Sequence, residues 1–355
     1  MSGRLKIYLG YAAGVGKTYR MREEAQAAKE QGVDIVIAYF EPHGRKQTIA
    51  KTEGLEMIPR RTLQYAGTSF QEMDIDAVLR RRPAVAVVDE FAHTNVPGSE
   101  RVKRWEDVRV LLDAGIDVWT SMNVQHLESL NDQIWHATGV RVRETVPDWV
   151  VDEADEVVMI DLTTRALRNR LERGVIYAQE KAQRAMDNFF TEANLSALRE
   201  MALRHTAHEV EEKLVPAPQE AASPAAGTER ILLCLTGRPS SAVLIRRGKR
   251  VADYLRADCL AIHVVADGEE SPEMRSAVDR HLRFARNLRI EAHVIESGDV
   301  PRAITEFARA RGVTQIFMGR SAPRPWWQRF RENIVQQVVR QARDMQITIV
   351  AEHRR

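Results

Sequence analysis

Five short runs in the first part of the chain are apolar at almost every position: LKIYL (5–9), DIVIAYF (34–40), AVAVVDE (84–90), IDVWTSM (116–122) and EVVMIDL (156–162). A strand with one wet face alternates apolar and polar residues, whereas a strand covered on both faces does not. Helical stretches lie between these runs. Strand and helix in alternation predict an α/β fold, a mostly parallel sheet with helices on both sides. After Leu162 the pattern changes to helical, amphipathic sequence, with Leu167, Leu171, Ile176, Phe189, Leu195, Leu198, Met201 and Leu203 as its apolar positions.

Residues 215–228, VPAPQEAASPAAGT, hold three prolines and no large apolar residue beyond Val215. That composition reads as a linker. A second alternating set follows: RILLCLT (230–236), LAIHVV (260–265), RIEAHVIE (289–296), VTQIFMGR (313–320) and ITIVAEH (347–353). Helices are expected at 240–256, 272–287, 300–311 and 331–344, giving a five-strand α/β sandwich. The organisation is therefore residues 1–162 as the first sheet, 163–214 as a helical extension, 215–228 as linker and 229–355 as the second sheet.

Composition narrows the class. Hydrophobic residues make up 44% and charged residues 29% of 355, which excludes a wholly disordered chain. Lys+Arg number 52 and Asp+Glu 50, so the net charge is +2 and no global positive field points to nucleic acid or membrane. The two cysteines, Cys234 and Cys259, sit in apolar runs and form no C-x-x-C pair. They read as core thiols of a cytoplasmic protein. No run of 18 or more apolar residues predicts a membrane span, and MSGRLKIYLG reads as a first strand, not a signal peptide.

The most informative stretch is GYAAGVGKT (10–18), which follows a strand and opens a helix. It resembles the phosphate-loop pattern G-x-x-x-x-G-K-[ST]. Gly16, Lys17 and Thr18 match its end. Its first glycine falls on Tyr11, with Gly10 one place early. Gly14, Val15 and Gly16 would close backbone N–H groups around phosphates at the positive end of the helix dipole. Lys17 would reach the β- and γ-phosphates of ATP, and Thr18 would hold Mg²⁺.

AVAVVDE ends in Asp89–Glu90, as a Walker-B strand does. Asp89 would complete the Mg²⁺ shell, and Glu90 is the candidate catalytic residue, placed to orient water or take a proton. Further polar groups end other strands: Glu41, His43 and Arg45 after the second, His93, Thr94 and Asn95 after the third, Thr120 and Asn123 on the fourth. Ligands of open α/β sheets bind beyond the carboxyl ends of strands, so these groups can converge on one crevice. His93 has no H-x-x-H or cysteine partner nearby, which argues against a metal ligand. Arg101, Lys103 and Arg104 are candidates to supply transition-state charge, as an arginine finger does.

AGVGKT (13–18), HGRK (43–46), DEFAHTN (89–95), PGS (97–99), KRWEDV (103–108), LLDAGIDV (111–118), NVQHLESLND (123–132) and RETVPD (143–148) together resemble the N-terminal cytosolic domain of the KdpD potassium sensor kinases, over about residues 3–214. That family also tolerates a replaced first glycine in its phosphate loop. The second segment is similar to the universal stress protein domain that follows in the same family. The resemblance implies a P-loop NTPase-like sheet and a sensory input to a histidine kinase core that lies beyond four transmembrane helices. Those later parts are missing from this sequence, which is either an excised region or a freestanding short form. His205 and His208 superficially suggest a phosphoacceptor, but no kinase ATP lid follows them, and they read as helix-face residues.

Universal stress domains that bind ATP resemble G-x-x-G-x9-G-[ST] after the fourth strand. Here the second glycine falls on Ala322 and the final pair on Glu332–Asn333, so the pattern is degraded. Gly319, Arg320 and Ser321 form a second candidate ligand site, and some family members receive c-di-AMP in this domain. In RSAPRPWWQRFRENI (320–334), Arg320, Arg324, Arg329 and Arg331 interleave with Trp326, Trp327 and Phe330, residue types that serve self-packing, docking or base stacking.

Three functions compete. The first is a regulatory module that binds Mg-ATP and modulates the KdpD-type membrane and histidine kinase region or other potassium-system proteins. The second is a P-loop NTPase or serine protein kinase active in its own right. The third, a nucleic-acid motor, lacks the basic track it needs. P-loop domains that use arginines in trans often pair, so a homodimer is compatible with the sequence.

Overall fold

The computed structural model describes residues 2–41, 52, 54–174, 176, 189–214, 229–266, 271–320 and 333–350. The chain divides into two compact units, Met1–Pro216 and Ala217–Arg355.

The main sheet of the first unit has six strands in the order β3-β2-β6-β7-β1-β8, namely Glu56–Met57, Ile35–Tyr39, Val85–Val88, Asp117–Asn123, Leu5–Gly10 and Glu156–Ile160. All pairings are parallel. The apolar runs are explained by burial on both faces. On β1, Leu5, Ile7 and Leu9 join one core while Tyr8 joins the other; on β6, Ala86 and Val88 face one core and Val85 and Val87 the other. Helix α1 (Lys17–Glu30) packs on the sheet through Met21 and Ala25.

A feature absent from the sequence reading is a two-stranded antiparallel hairpin, β4 (Arg61–Tyr65) and β5 (Thr68–Glu72). Its two-residue turn places Ala66 and Gly67 at φ 48° and 77°, the left-handed pair that matches strand twist. Helix α2 (Ile75–Arg81) follows, capped by the Asp74 carboxylate, which accepts from the Ala77 amide. Helices α3 (Arg104–Asp113), α4 (Asn131–Thr138) and α5 (Asp148–Asp152) complete the sheet's cover.

After β8 come α6 (Thr164–Glu172) and α7 (Glu192–Leu214), which pack against each other. Leu167, Leu171, Ile176, Phe190, Leu195 and Leu198 are buried in the same core as β1, so this extension completes the first unit. His205 and His208 both fall on α7.

The second unit is a five-stranded parallel sheet in the order β11-β10-β9-β12-β13: Glu291–Glu296, Asp258–Val265, Arg230–Cys234, Gln315–Gly319 and Gln346–Val350. Ile231 and Leu233 face the core covered by α8 (Ser240–Leu255) and α9 (Pro272–Asn287), while Leu232 and Cys234 face α10 (Val300–Ala310) and α11 (Ile334–Gln341). Gly248 sits inside α8 because a Cβ there would overlap the Leu233 side chain. Both cysteines are free, and burial pushes each thiol up to about 12, as suits inert core residues. Residues 215–228, assigned above to a linker, lie outside the described residues.

Candidate functional site: a phosphate loop beside a buried aspartate

The parallel register sets the site. Gly10, the last residue of β1, pairs with Asn123, the last residue of β7; one strand over, Val88 of β6 pairs with Thr120. The carboxyl ends of β1, β7 and β6 therefore lie side by side, with β7 between the phosphate-loop strand and the strand leading to Asp89.

The loop at 11–16 joins β1 to α1. Gly16 is the N-cap of α1 at φ 114°, and Gly14 has φ 89°. Both conformations favour glycine. Tyr11, which stands where the pattern has its first glycine, is fully buried, and its hydroxyl donates to the Leu162 carbonyl at 2.8 Å. The close approach falls to Gly10. A Cβ at that residue would lie 2.6 Å from Val15 Cγ2 and 2.9 Å from Lys17 Cδ. Gly10 thus lets the Lys17 stem fold back over the strand end. The displaced glycine of the motif has a packing reason, and Val15 contributes its backbone to the loop while its side chain is buried.

Lys17 is buried, and its Nζ donates to the Ala12 carbonyl at 3.2 Å and to Asn123 Oδ1. The Asp89 carboxylate is also buried. Its Oδ1 accepts from Ser121 Oγ at 2.6 Å and from Thr18 Oγ1 at 3.3 Å. Lys17, Thr18, Asp89, Ser121 and Asn123 are thereby brought to one place. Of these, Ser121 was missed by the sequence reading. Its signal was period 2 on β7, which puts residues 121 and 123 on one face and Thr120 on the other. Thr120 is wholly buried and does not join the group.

Glu90 follows Asp89 at φ 57°, a left-handed conformation for a residue with a full side chain. Such strain costs of order 1–3 kcal/mol and persists where neighbours over-determine it. Here the Glu90 carbonyl accepts from the His93 amide at 3.0 Å, and the Phe91 amide donates to the Ser121 carbonyl at 3.1 Å.

Behind Asp89 lies a buried network. Arg104 is fully buried; its Nη2 donates to Glu72 Oε2 at 2.7 Å, its Nη1 to the Asp89 carbonyl at 3.4 Å, and its guanidinium lies 3.6 Å from the Tyr39 ring centre. Glu72 also bonds His93 Nε2 at 2.9 Å and accepts from the Val96 amide at 3.0 Å. Burial opposes ionisation of Glu72, but the His93 bond and the nearby positive charges outweigh it and hold its pKa below the usual range. Arg104 is therefore internal wiring of the Asp89 loop and does not act as a finger toward solvent. Arg101 pairs with Glu100 and Asp107, and Lys103 donates to Thr94 Oγ1 at 2.7 Å. Arg22, on α1, is buried with its guanidinium 3.2 Å from the Phe40 ring centre; burial lowers its pKa to about 10 despite the pull of Asp89.

Several other candidates are placed differently. Glu41 pairs with Arg60 at 3.3 Å, while His43 and Arg45 lie outside the described residues. In the second unit Gly319 ends β12, and the Arg320 carbonyl accepts from Arg238 Nη1 at 3.5 Å. Ser321, Ala322, Arg324, Trp326, Trp327, Arg329, Phe330, Arg331 and Glu332 lie outside the described residues. Asn333 is committed to a capping box on α11: its Oδ1 accepts from the Gln336 amide at 2.8 Å.

Residues 1–210 match the family described as "KdpD: Osmosensitive K+ channel His kinase sensor domain". The chain belongs to the KdpD family. It is 43% identical over 353 residues to a protein of Synechocystis sp. named for the KdpD sensors, covering 98% of this chain and 94% of that one. It is 42% identical over 358 residues to the sensor protein KdpD of Escherichia coli, again with 98% of this chain covered but only 39% of the relative. The chain thus spans nearly all of one KdpD relative and about two fifths of another. Among solved structures, a universal stress protein in complex with cAMP aligns with 35% of this chain and 97% of its own, at 16% identity and a TM-score of 0.30. No described helix is long and apolar enough to cross a membrane.

Proposed function

We propose that the first unit of this KdpD chain binds Mg-ATP at Gly14, Val15, Gly16, Lys17 and Thr18 with Asp89, and that occupancy regulates the histidine kinase region of a two-component potassium system. The observation that carries the reading is the junction of Lys17, Thr18 and Asp89 at the carboxyl ends of β1, β7 and β6. A lysine, a hydroxyl and a carboxylate gathered at a helix N-terminus suit a polyphosphate with its divalent cation. Lys17 would neutralise phosphate oxygens, and Thr18 and Asp89 would hold the Mg²⁺. The module works in the cytoplasm, with the membrane-spanning kinase region as its partner. Mixing this chain with that kinase region should shift the balance of kinase and phosphatase activity when Mg-ATP is added. An identical balance with and without nucleotide would reject the regulatory reading.

The strained backbone of Glu90 favours a second reading, turnover at the same site. Phosphate release that Glu90→Gln abolishes would support it. Absence of release, or release unchanged by Glu90→Gln and Lys17→Ala, would leave binding alone.

A further inference from the structure

The extension that follows the last strand of the first sheet touches the phosphate loop at three points. The Tyr11 hydroxyl donates to the Leu162 carbonyl at 2.8 Å. The Ile176 side chain fills the space that a Cβ on Gly14 would need. Arg170, on α6, donates from Nη1 to the Gly14 carbonyl at 3.2 Å, and the same atom lies 3.7 Å from where a Cβ on Gly16 would stand. Leu167, one turn before Arg170, and Leu171, the residue after it, are fully buried and anchor α6 in the core of the first unit.

The charge arrangement is unusual for a bare surface. Arg168 pairs with Glu192, Arg199 with Asp161 and Arg20 with Glu23. Among the described residues no carboxylate pairs with Arg170, whose guanidinium lies instead over a neutral carbonyl. That carbonyl belongs to a loop already carrying Lys17 and the positive end of α1. Two cations and a helix N-terminus gathered at one loop make a site for a multiply charged anion, and a guanidinium is suited to paired contacts with phosphate oxygens.

We infer that Arg170 is a phosphate-contacting residue of this site: the polyphosphate of a bound nucleotide draws its guanidinium from the Gly14 carbonyl, and α6 is thereby held against the occupied loop. The inference rests on the phosphate-loop reading above and adds the element through which occupancy reaches the extension. Arg170 is exposed, so replacing it removes charge without opening the core.

The test is calorimetric titration of Mg-ATP and of Mg-tripolyphosphate into the full chain and its Arg170→Ala, Arg170→Lys and Lys17→Ala variants. Thermal melting without ligand accompanies it, with amide exchange over residues 164–172 at saturating Mg-ATP. Arg170→Ala should weaken both ligands about tenfold, the scale of one charge-assisted contact, with an unchanged ligand-free melting point. Arg170→Lys should recover part of that loss. Exchange should slow on Mg-ATP binding in the wild type and not in Arg170→Ala. Wild-type affinity in Arg170→Ala beside a loss in Lys17→Ala would overturn the role of Arg170 and keep the phosphate-loop reading. A loss of affinity matched by a lower ligand-free melting point would make Arg170 a brace of the loop, and equal slowing of exchange in both proteins would remove the link to α6; either overturns the inference. No uptake of Mg-ATP by the wild type would overturn both readings together.

Discussion

The Thr18 hydroxyl donates to Asp89 Oδ1 at 3.3 Å, although 71 residues of chain separate them. The parallel register of β1, β7 and β6 makes this meeting possible, because it brings the ends of the three strands to one level. A hydroxyl and a buried carboxylate facing each other form two sides of a cation site. Asp89→Asn keeps the shape and removes the charge. Mg²⁺ should then no longer strengthen ATP binding, a loss of about tenfold or more in affinity measured with and without chelator. The same gain from Mg²⁺ in wild type and variant would place the cation elsewhere.

Gly10 tests the displaced glycine of the motif. A methyl at this position would press on Val15 and on the Lys17 stem. Gly10→Ala should lower stability by about 1–3 kcal/mol through overpacking, and should weaken nucleotide binding as Lys17 moves. Denaturant unfolding and titration read the two effects. An unchanged affinity in a folded variant would mean that the Lys17 stem does not depend on Gly10.

The ten strands of the two large parallel sheets other than β3 were legible as short runs rich in apolar residues, and the central ones, such as β1 and β6, are apolar on both faces. The junction of Lys17 with Thr18 and Asp89 was legible from motif spacing. The hairpin was not, although Tyr65-Ala66-Gly67-Thr68 carries a two-residue turn signal. Its strands are largely exposed, with Tyr65 and Phe70 open to solvent, so they lack the apolar run that marked the others. Glu72 was missed for the same reason: it ends an exposed hairpin, and its partners Arg104 and His93 are distant in sequence. Arg104 looked like a surface cation in KRWEDV. Its full burial follows from a partner that pattern reading had no means to supply.

Glu72 holds that partner in place. Glu72→Gln leaves the buried Arg104 charge uncompensated, which should cost about 3–5 kcal/mol of stability at neutral pH. Because the folded pKa of Glu72 is depressed, its contribution is present above the ordinary carboxylate range and is lost as pH falls through the folded value. The difference between wild type and variant in unfolding free energy should therefore shrink in acid. A difference that stays constant with pH would contradict the ionised pairing.

His126 gives a second pH signature. Its Nδ1 donates to the Glu144 carbonyl at 2.8 Å, and burial lowers its pKa despite that bond. The unfolded chain then takes up a proton that the folded chain refuses. Stability should be full above pH ~6.5, the free histidine value, and decline as pH falls below it. In His126→Asn that decline should be smaller in melts taken across the same range. An identical decline would assign it to other groups.

The most direct test of the central claim is calorimetric titration of Mg-ATP into this chain and into Lys17→Ala. Lys17 is held by the Ala12 carbonyl and Asn123 at the mouth of the loop, so its removal deletes the main cation for the phosphates. The account predicts saturable binding to the wild type and a loss of at least about tenfold in the variant. Binding of equal strength in both proteins would contradict it and move the nucleotide away from the phosphate loop.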